Sequence, residues 1–377
     1  MGPQETLDDG ISEGIIGPMK ILIAGNWRWC QHETAFAAAL SKMGHEVVPF
    51  SFHKHFQGIL GYYQSALPLP GPALWQLNRA LLANVRGNNP DVVLVWRGTH
   101  IVPRTLRLIK ARGALLVSYN NDDPFGPKIH GHTPWHHRFL WMWYLRCLKE
   151  FDINFMFRPA NVQEAIYYGA KNVHVLKPYF IPEKHHPVVL SASDKERFDC
   201  DVVFVGHYEP DGREEYLRVL VDAGLHVRLF GGGYWSKKVL GDLSPYFGDV
   251  LPANGEEYAK ALCGAKICLS FLSKLNRDTY TRRCFEIPAC GRLLLCERTS
   301  DLRQMFIEGD EAVFFSSKDE LVERAVWLIN HPAKIKCIAE AGMKRVWADG
   351  HDVISRSSEF VILLSNYLTK SIEKGGT

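Results

Sequence analysis

Two doubly wound α/β domains in tandem are the fold that the sequence predicts. Three observations lead there. The chain has 377 residues, and single hydrophobic cores stop growing near ~250–300 residues. Short apolar runs alternate with helical stretches along most of the chain, which is the pattern of parallel βαβ units. Apolar residues make up 46% and charged residues 23%, so the composition is that of an ordinary globular protein. No apolar run reaches the ~18 residues that a membrane-spanning helix requires.

Residues 1–18 are polar, acidic and glycine-rich. They lack the basic and apolar regions of a signal peptide and read as a disordered leader. The first domain is expected over 19–190. It opens with the strand MKILIAGN, followed by a loop at 26–31 and a helix over 32–43 that stops at Gly44, a C-cap residue. Further strands are read at 45–50, 91–96 and 114–119, with a helix at 103–110. Weaker strand signals at 155–157 and 173–176 flank a helix at 161–168. The polar, proline-bearing stretch 185–199 joins the halves.

The second domain is expected over 198–352. Strands are read at 201–206, 225–231, 265–271, 292–296 and 311–315. Helical segments fall at 212–223, 254–263, 282–290, 302–306 and 318–330. A final helix over 353–377 is expected to return to the first domain. Such sheets bind ligands beyond the carboxyl ends of their strands, and two of them facing each other would leave an interdomain cleft.

Composition excludes several classes. A net charge of +3 is too small for a nucleic-acid partner. The nine cysteines show no CxxC spacing and lie mostly in apolar runs, which argues against disulfides and structural zinc and for a cytoplasmic location. The 16 histidines are scattered, so no metal site is expected. The dinucleotide fingerprint is absent after the first strand, where the sequence is AGNWRWCQ.

The densest chemistry lies at 278–291. Asp278 and Glu286 are separated by seven residues and precede an Ala-Cys-Gly turn. Two acids so placed at the mouth of a parallel sheet suggest a sugar-nucleotide site. Glu286 can accept hydrogen bonds from two ribose hydroxyls, or it can cap its helix. Arg282 and Arg283 offer planar donors to a diphosphate, or form surface ion pairs. Gly206 and His207 follow a strand, where glycine allows close backbone approach and a neutral histidine can donate to phosphate or move a proton. Gly232, within GGGY, follows another strand, where three glycines permit a tight turn and close backbone approach.

On the first domain, Trp27, Arg28 and Trp29 follow the first strand. The tryptophans can stack on an acceptor or pack under the next helix, and Arg28 can hold an anionic group. Asp122 and Asp123 sit in SYNNDDP at another strand end. One of them can act as a general base, orient the acceptor, bind a cation or simply build a turn. The aromatic segment 132–149 can line a pocket, pack internally or touch a membrane surface.

The chain resembles the CgeB-like (spore maturation protein type) branch of family-1/4-like glycosyltransferases, which have the GT-B fold. The resemblance rests on DVVFVGHYEPDGRE (201–215), RCFEIPACG (283–291), GDEAVFFSSKDELVERAVWLINHP (309–332) and GMKRVWADGHDVISR (342–356). It implies that Glu286 binds ribose, that Arg283 rather than Arg282 meets the diphosphate, and that the loop at Gly206 and His207 lies beside the donor. Asp278 takes the place of a usual glutamate and Asp352 that of Ser or Thr, which makes His351 structural. The implied function is transfer of a sugar from a nucleoside-diphosphate sugar, UDP preferred, to a hydroxyl or amine acceptor without a metal. Retention is the implied stereochemistry. No tightly bound cofactor is expected; Asp122, Asp123, His207 and Asp278 are the catalytic candidates. Partners are the donor and a small-molecule, glycan, peptide or lipid-linked acceptor, with at most peripheral membrane contact and a monomeric or homodimeric state. The alternatives are a non-catalytic sugar-nucleotide-binding protein and a nucleotide-sugar epimerase.

Overall fold

The computed structural model describes residues 17–127 and 133–375. The leader expected at 1–18 lies, apart from its last two residues, outside the described residues. The chain divides into two compact units. One holds residues 17–125, Thr133–Leu176 and the residues from Ile354 onward; the other runs mainly from Lys177 to Val353.

The first unit is built on six strands: β1 (Lys20–Gly25), β2 (Glu46–Ser51), β3 (Val92–Trp96), β4 (Leu115–Asn120), β5 (Ile153–Met156) and β6 (Val173–Val175). They lie in the order β2-β1-β3-β4-β5-β6, and every pairing is parallel. β3, β4 and β5 are buried along their whole length; β3 is a continuous apolar run covered on both faces, while β4 and β5 also bury Ser118 and Asn154, which hydrogen-bond to each other at 2.8 Å. Pro49 sits in β2, an edge strand, where a missing N–H disrupts no second ladder.

The second unit carries β7 (Cys200–Val205), β8 (Val227–Phe230), β9 (Ala265–Ser270), β10 (Leu293–Glu297) and β11 (Val313–Phe315). Their order is β11-β10-β9-β7-β8, again all parallel. In each sheet the first strand has its successor on one side and the third strand on the other. The strand order therefore reverses beside β1 in one sheet and beside β7 in the other, and these are the ligand crevices of open α/β sheets.

Several elements differ from the sequence reading. The helix expected at 32–43 runs only over Ala35–Lys42, after an irregular turn at Cys30–Thr34 in which His32 is non-helical. Helices Gly58–Ala66 and Pro72–Asn88 add to the expected elements; glycines and prolines at 58–72 mask the first, while the second shows Leu74, Leu77, Leu81 and Val85 at helical spacing. Pro72 opens the second of them, at the one helical position where its missing N–H costs nothing. The boundary between units falls at Lys177, earlier than the joint expected at 185–199. Phe180 exchanges backbone hydrogen bonds with His351 and Val353, its ring packs edge-on to Trp347 at 4.8 Å, and the Val188 N–H donates to Cys263 Sγ. These contacts tie 177–190 to the second unit. Within the expected joint, Ala192–Phe198 is a helix closed by a capping box of Ser191 and Asp194.

The last helix, Val353–Gly375, packs from Ile354 onward within the first unit. Phe360 is fully buried with its ring 5.3 Å from Phe36 and 5.1 Å from Phe155. No helix of the described residues is long and apolar enough to cross a membrane. All nine cysteines are free thiols.

Candidate functional site

In the second unit the site residues gather around the end of β7. Gly206 follows that strand, and a side chain there would press into the Phe204 ring at 2.7 Å. Its carbonyl accepts a hydrogen bond from Trp235 Nε1 at 2.8 Å. A Cβ on Gly231 would collide with that same carbonyl, so glycine is needed where the β7 and β8 loops meet. Gly232 turns the chain with φ +69°, and Tyr234 lies 4.4 Å from the exposed His207 ring. Arg213, buried at the start of the next helix, fixes this loop. It forks onto Asp211 at 2.9 and 2.7 Å and donates to the His207 carbonyl at 2.6 Å.

Arg283 joins this group. It opens the helix Arg283–Ala289 and holds its guanidinium 5.7 Å from the Phe204 ring. Its Nε is buried with no hydrogen-bond partner among the described residues. One turn further on, Glu286 is buried, at 6% exposure. Its Oε2 accepts the Tyr258 hydroxyl at 2.7 Å; its Oε1 lies 3.7 Å from His185 Nε2 and 3.8 Å from Arg282 Nε. Burial and the adjacent Glu286 carboxylate raise the Tyr258 pKa well above the usual tyrosine range, so Tyr258 stays a donor. His185 accepts the Ile181 N–H through Nδ1, and burial lowers its pKa. The neutral ring thus turns an Nε2–H toward the carboxylate.

Asp278 stands in the loop beyond β9, where its N–H closes a turn onto the Ser273 carbonyl at 2.9 Å. Ser273 in turn donates to Glu209 at 2.7 Å. The structure therefore brings Gly206, His207, the Gly232 turn and Arg283 together around Phe204 and Trp235, with Glu286 one helical turn after Arg283. Sequence reasoning missed Arg213, Tyr258 and His185. The Asp211 and Arg213 pair directly after a strand-end glycine was the available signal for the first. Tyr258 and His185 reach Glu286 from distant segments and left none.

The first unit has its own cavity, of about 350 Å³, beside β1 and β3. Arg28, Trp29, Glu33, Arg97, His100 and Asp122 line it. Glu33 is buried and its Oε1 accepts the Asn26 N–H at 2.7 Å; a side chain at Gly25 would collide with that carboxylate. Burial raises the Glu33 pKa, opposed by the backbone N–H groups of Glu33, Asn26 and Trp27 and by Arg97. Arg97 is ion-paired with Asp122 and lies over the Trp141 ring at 5.4 Å. His100, almost fully enclosed, has its pKa pushed down to about 4 by burial.

Two candidates do not reach this cavity. Trp27 has φ +57° and folds back, so that its Nε1–H donates to the Ile23 carbonyl at 3.1 Å. Asp123 is buried, and its Oδ1 accepts from the Phe125 N–H at 3.1 Å and from Asn161 Nδ2 at 3.0 Å. It braces the loop that presents Asp122. Arg97 and Glu33 were missed. Arg97 directly follows a strand, the same position that singled out Asp122, while the burial of Glu33 depends on the missing side chain of Gly25. Among the described residues no group of three or more His, Cys, Asp or Glu could hold a metal ion.

Comparisons with known proteins bear on the fold. Residues 213–361 match a family described as glycosyl transferase-like. Anabaena HepE, solved with UDP-glucose, has a similar structure at TM-score 0.63 and 14% identity, covering 92% of this chain and all of that one. Sucrose-phosphate synthase from Thermosynechococcus elongatus gives TM-score 0.65 and 13% identity over 95% of this chain and all of that one. A candidate UDP-N-acetylglucosamine 2-epimerase from Listeria monocytogenes gives TM-score 0.55 and 11% identity over 92% and 95%. No curated protein sequence matches significantly. The fold is of the GT-B type, with two Rossmann-like domains, and the glycosyl transferase-like match falls within its second unit and the start of the last helix.

Proposed function

We propose that the protein transfers a sugar from a UDP-sugar to a hydroxyl or amine acceptor. One observation carries the reading: Arg283 holds a buried guanidinium nitrogen without a partner, beside a loop drawn tight by Gly206 and Gly231, inside the stretch that matches the glycosyl transferase-like family. The Nε itself is closed off, but the side chain is only half-buried, so the terminal nitrogens of the same planar fork are assigned the diphosphate oxygens. Glu286, aligned by Tyr258 and His185, is assigned the ribose hydroxyls. His207 is assigned the donor diphosphate or the reacting sugar, and the Gly232 turn borders the nucleotide. The preference for UDP is supported by the UDP-glucose held by HepE.

The acceptor is assigned to the first-unit cavity, with Trp29 as a flat face, Arg28 as a cationic donor and Asp122 as the group that orients the nucleophile. In the transfer the acceptor oxygen bonds to the anomeric carbon as the bond to the diphosphate breaks. With retention, which follows from the CgeB-like resemblance, the acceptor proton passes to the departing phosphate oxygen. Arg283 stabilises the charge that develops there. No step calls on a metal.

The test is thermal stabilisation by UDP, GDP, TDP, CDP and ADP, for the natural protein and for Glu286→Ala. Selective stabilisation by UDP that is lost in the variant supports the reading. No stabilisation by any nucleotide refutes it. The epimerase reading is kept because a candidate epimerase shares the fold. Conversion of the UDP-sugar to its epimer with no acceptor present would favour it; UDP release that requires an acceptor would exclude it.

A further inference from the structure

The chain contains 41 Asp and Glu, yet none lies between Glu46 and Asp91 or between Asp123 and Glu150. Both acid-free segments belong to the first unit, apart from residues 126–132, and they meet: the Trp143 Nε1–H donates to the Pro68 carbonyl at 2.7 Å. Both also leave large apolar side chains in solvent. On helix Gly58–Ala66, Ile59 is 79%, Tyr62 70% and Tyr63 63% exposed. Leu69, Trp75, Trp135 and Phe139 add to them at 40% exposure or more.

The arrangement is ordered. Trp135, Phe139 and Trp143 follow one another at helical spacing on Trp135–Cys147, with the first two rings 6.0 Å apart. This stripe leads to Pro68 and so to the helix that bears Tyr62 and Tyr63. The opposite side of the same helix buries Trp141 and Tyr144, so the exposed stripe is not needed for the core. Arginines flank it. Arg146 lies over the Trp143 ring at 5.2 Å; Arg138 is exposed beside Phe139, and Arg79 stands one turn from Trp75. None of these three is ion-paired among the described residues.

We propose that this face docks on the surface of an anionic lipid bilayer. Trp and Tyr are the side chains that settle at the headgroup level, with a flat apolar body and one polar atom. Unpaired arginines meet anionic headgroups, and the missing carboxylates remove the repulsion that such a surface would impose. A nucleic acid would draw on the same charge, but it has no use for Ile59, Leu69 and Phe139 in water. The proposal stands independently of the sugar-transfer reading.

The experiment is flotation of the full chain with phosphatidylcholine vesicles, with and without phosphatidylglycerol, for the natural protein and for two double variants. Trp135→Ser/Phe139→Ser removes apolar contact; Arg138→Glu/Arg146→Glu reverses the charge. All four positions are exposed, and an unchanged unfolding temperature verifies the fold. Binding is expected only with phosphatidylglycerol, weakening as salt rises and falling roughly tenfold or more in each variant. Absence of binding, equal binding to neutral vesicles, or undiminished binding of both variants overturns the proposal. So does a dimer seen by light scattering that dissociates in the variants, since the face would then join two copies of the chain.

Discussion

Arg283→Ala separates ligand binding from folding. In the free protein the guanidinium has two opposing effects. Its position 5.7 Å from the Phe204 ring contributes about 0.5–2 kcal/mol as a cation–π contact. Its unpartnered buried Nε costs about 1–3 kcal/mol. Alanine removes both and suits a helix start, so unfolding in urea should change by no more than about 1 kcal/mol. With UDP the balance differs. A charge-assisted hydrogen bond to the diphosphate is worth about 1.5–3 kcal/mol, so calorimetric titration should show Kd rising roughly 10- to 150-fold. Arg283→Lys keeps the charge but loses the planar fork and should fall between the two. Stability lost by more than about 2 kcal/mol with an unchanged UDP Kd would make Arg283 a packing residue and refute the assignment.

Adjacent aspartates should behave oppositely. Asp123→Ala removes the acceptor of Phe125 N–H and Asn161 Nδ2 and should cost about 1–3 kcal/mol in urea unfolding; Asp122→Asn should fold normally and lose turnover, measured as UDP release. His100 gives a pH signature. Burial holds its pKa at about 4 in the folded protein, below the 6.5 of a free imidazole, so the unfolded state binds the proton more tightly. Stability is then full above about pH 6.5 and declines by about 3 kcal/mol as pH falls through 4, a loss that His100→Gln should flatten in denaturant titrations across that range. Phe360→Ala empties the space between Phe36 and Phe155 and should cost about 3–5 kcal/mol in the same assay.

What the sequence revealed followed the physics that a linear pattern can carry. Continuous apolar runs such as VVLVW and LLLCE become fully or nearly fully buried strands, because a parallel sheet covered on both faces leaves no alternation to blur them. Strand-end glycine at 206 marked a close backbone approach. Helix Gly58–Ala66 stayed hidden because its glycines and the prolines after it imitate loop composition, whereas Pro72–Asn88 did carry a signal, with Leu74, Leu77, Leu81 and Val85 at helical spacing and Pro72 at its start. Asp122 and Asp123 could not be told apart by type, since neighbours in a turn point to different places and only the position of Asn161 decides which one is buried. The shell around Glu286 was illegible for another reason. Tyr258 and His185 belong to segments 28 and 101 residues away, and their meeting is a product of the topology.

The loops after the first strand of each sheet explain why the diphosphate is assigned to the second unit. Both are locked by a buried charged side chain from just beyond the loop, but the charges are opposite. Glu33 is an acceptor and takes up backbone N–H groups at Asn26 and its neighbours. That loop has spent the donors an anion would need. Arg213 is a donor and takes up the His207 carbonyl, fixing its loop without consuming amide hydrogens. It also places positive charge beside Phe204, with Arg283 near the same ring. Anions are held by backbone N–H groups and arginine forks. Of the two crevices, the one at β7 therefore suits a diphosphate, whereas the one at β1, with its Glu33 and Asp122 carboxylates, suits a hydroxyl-bearing acceptor.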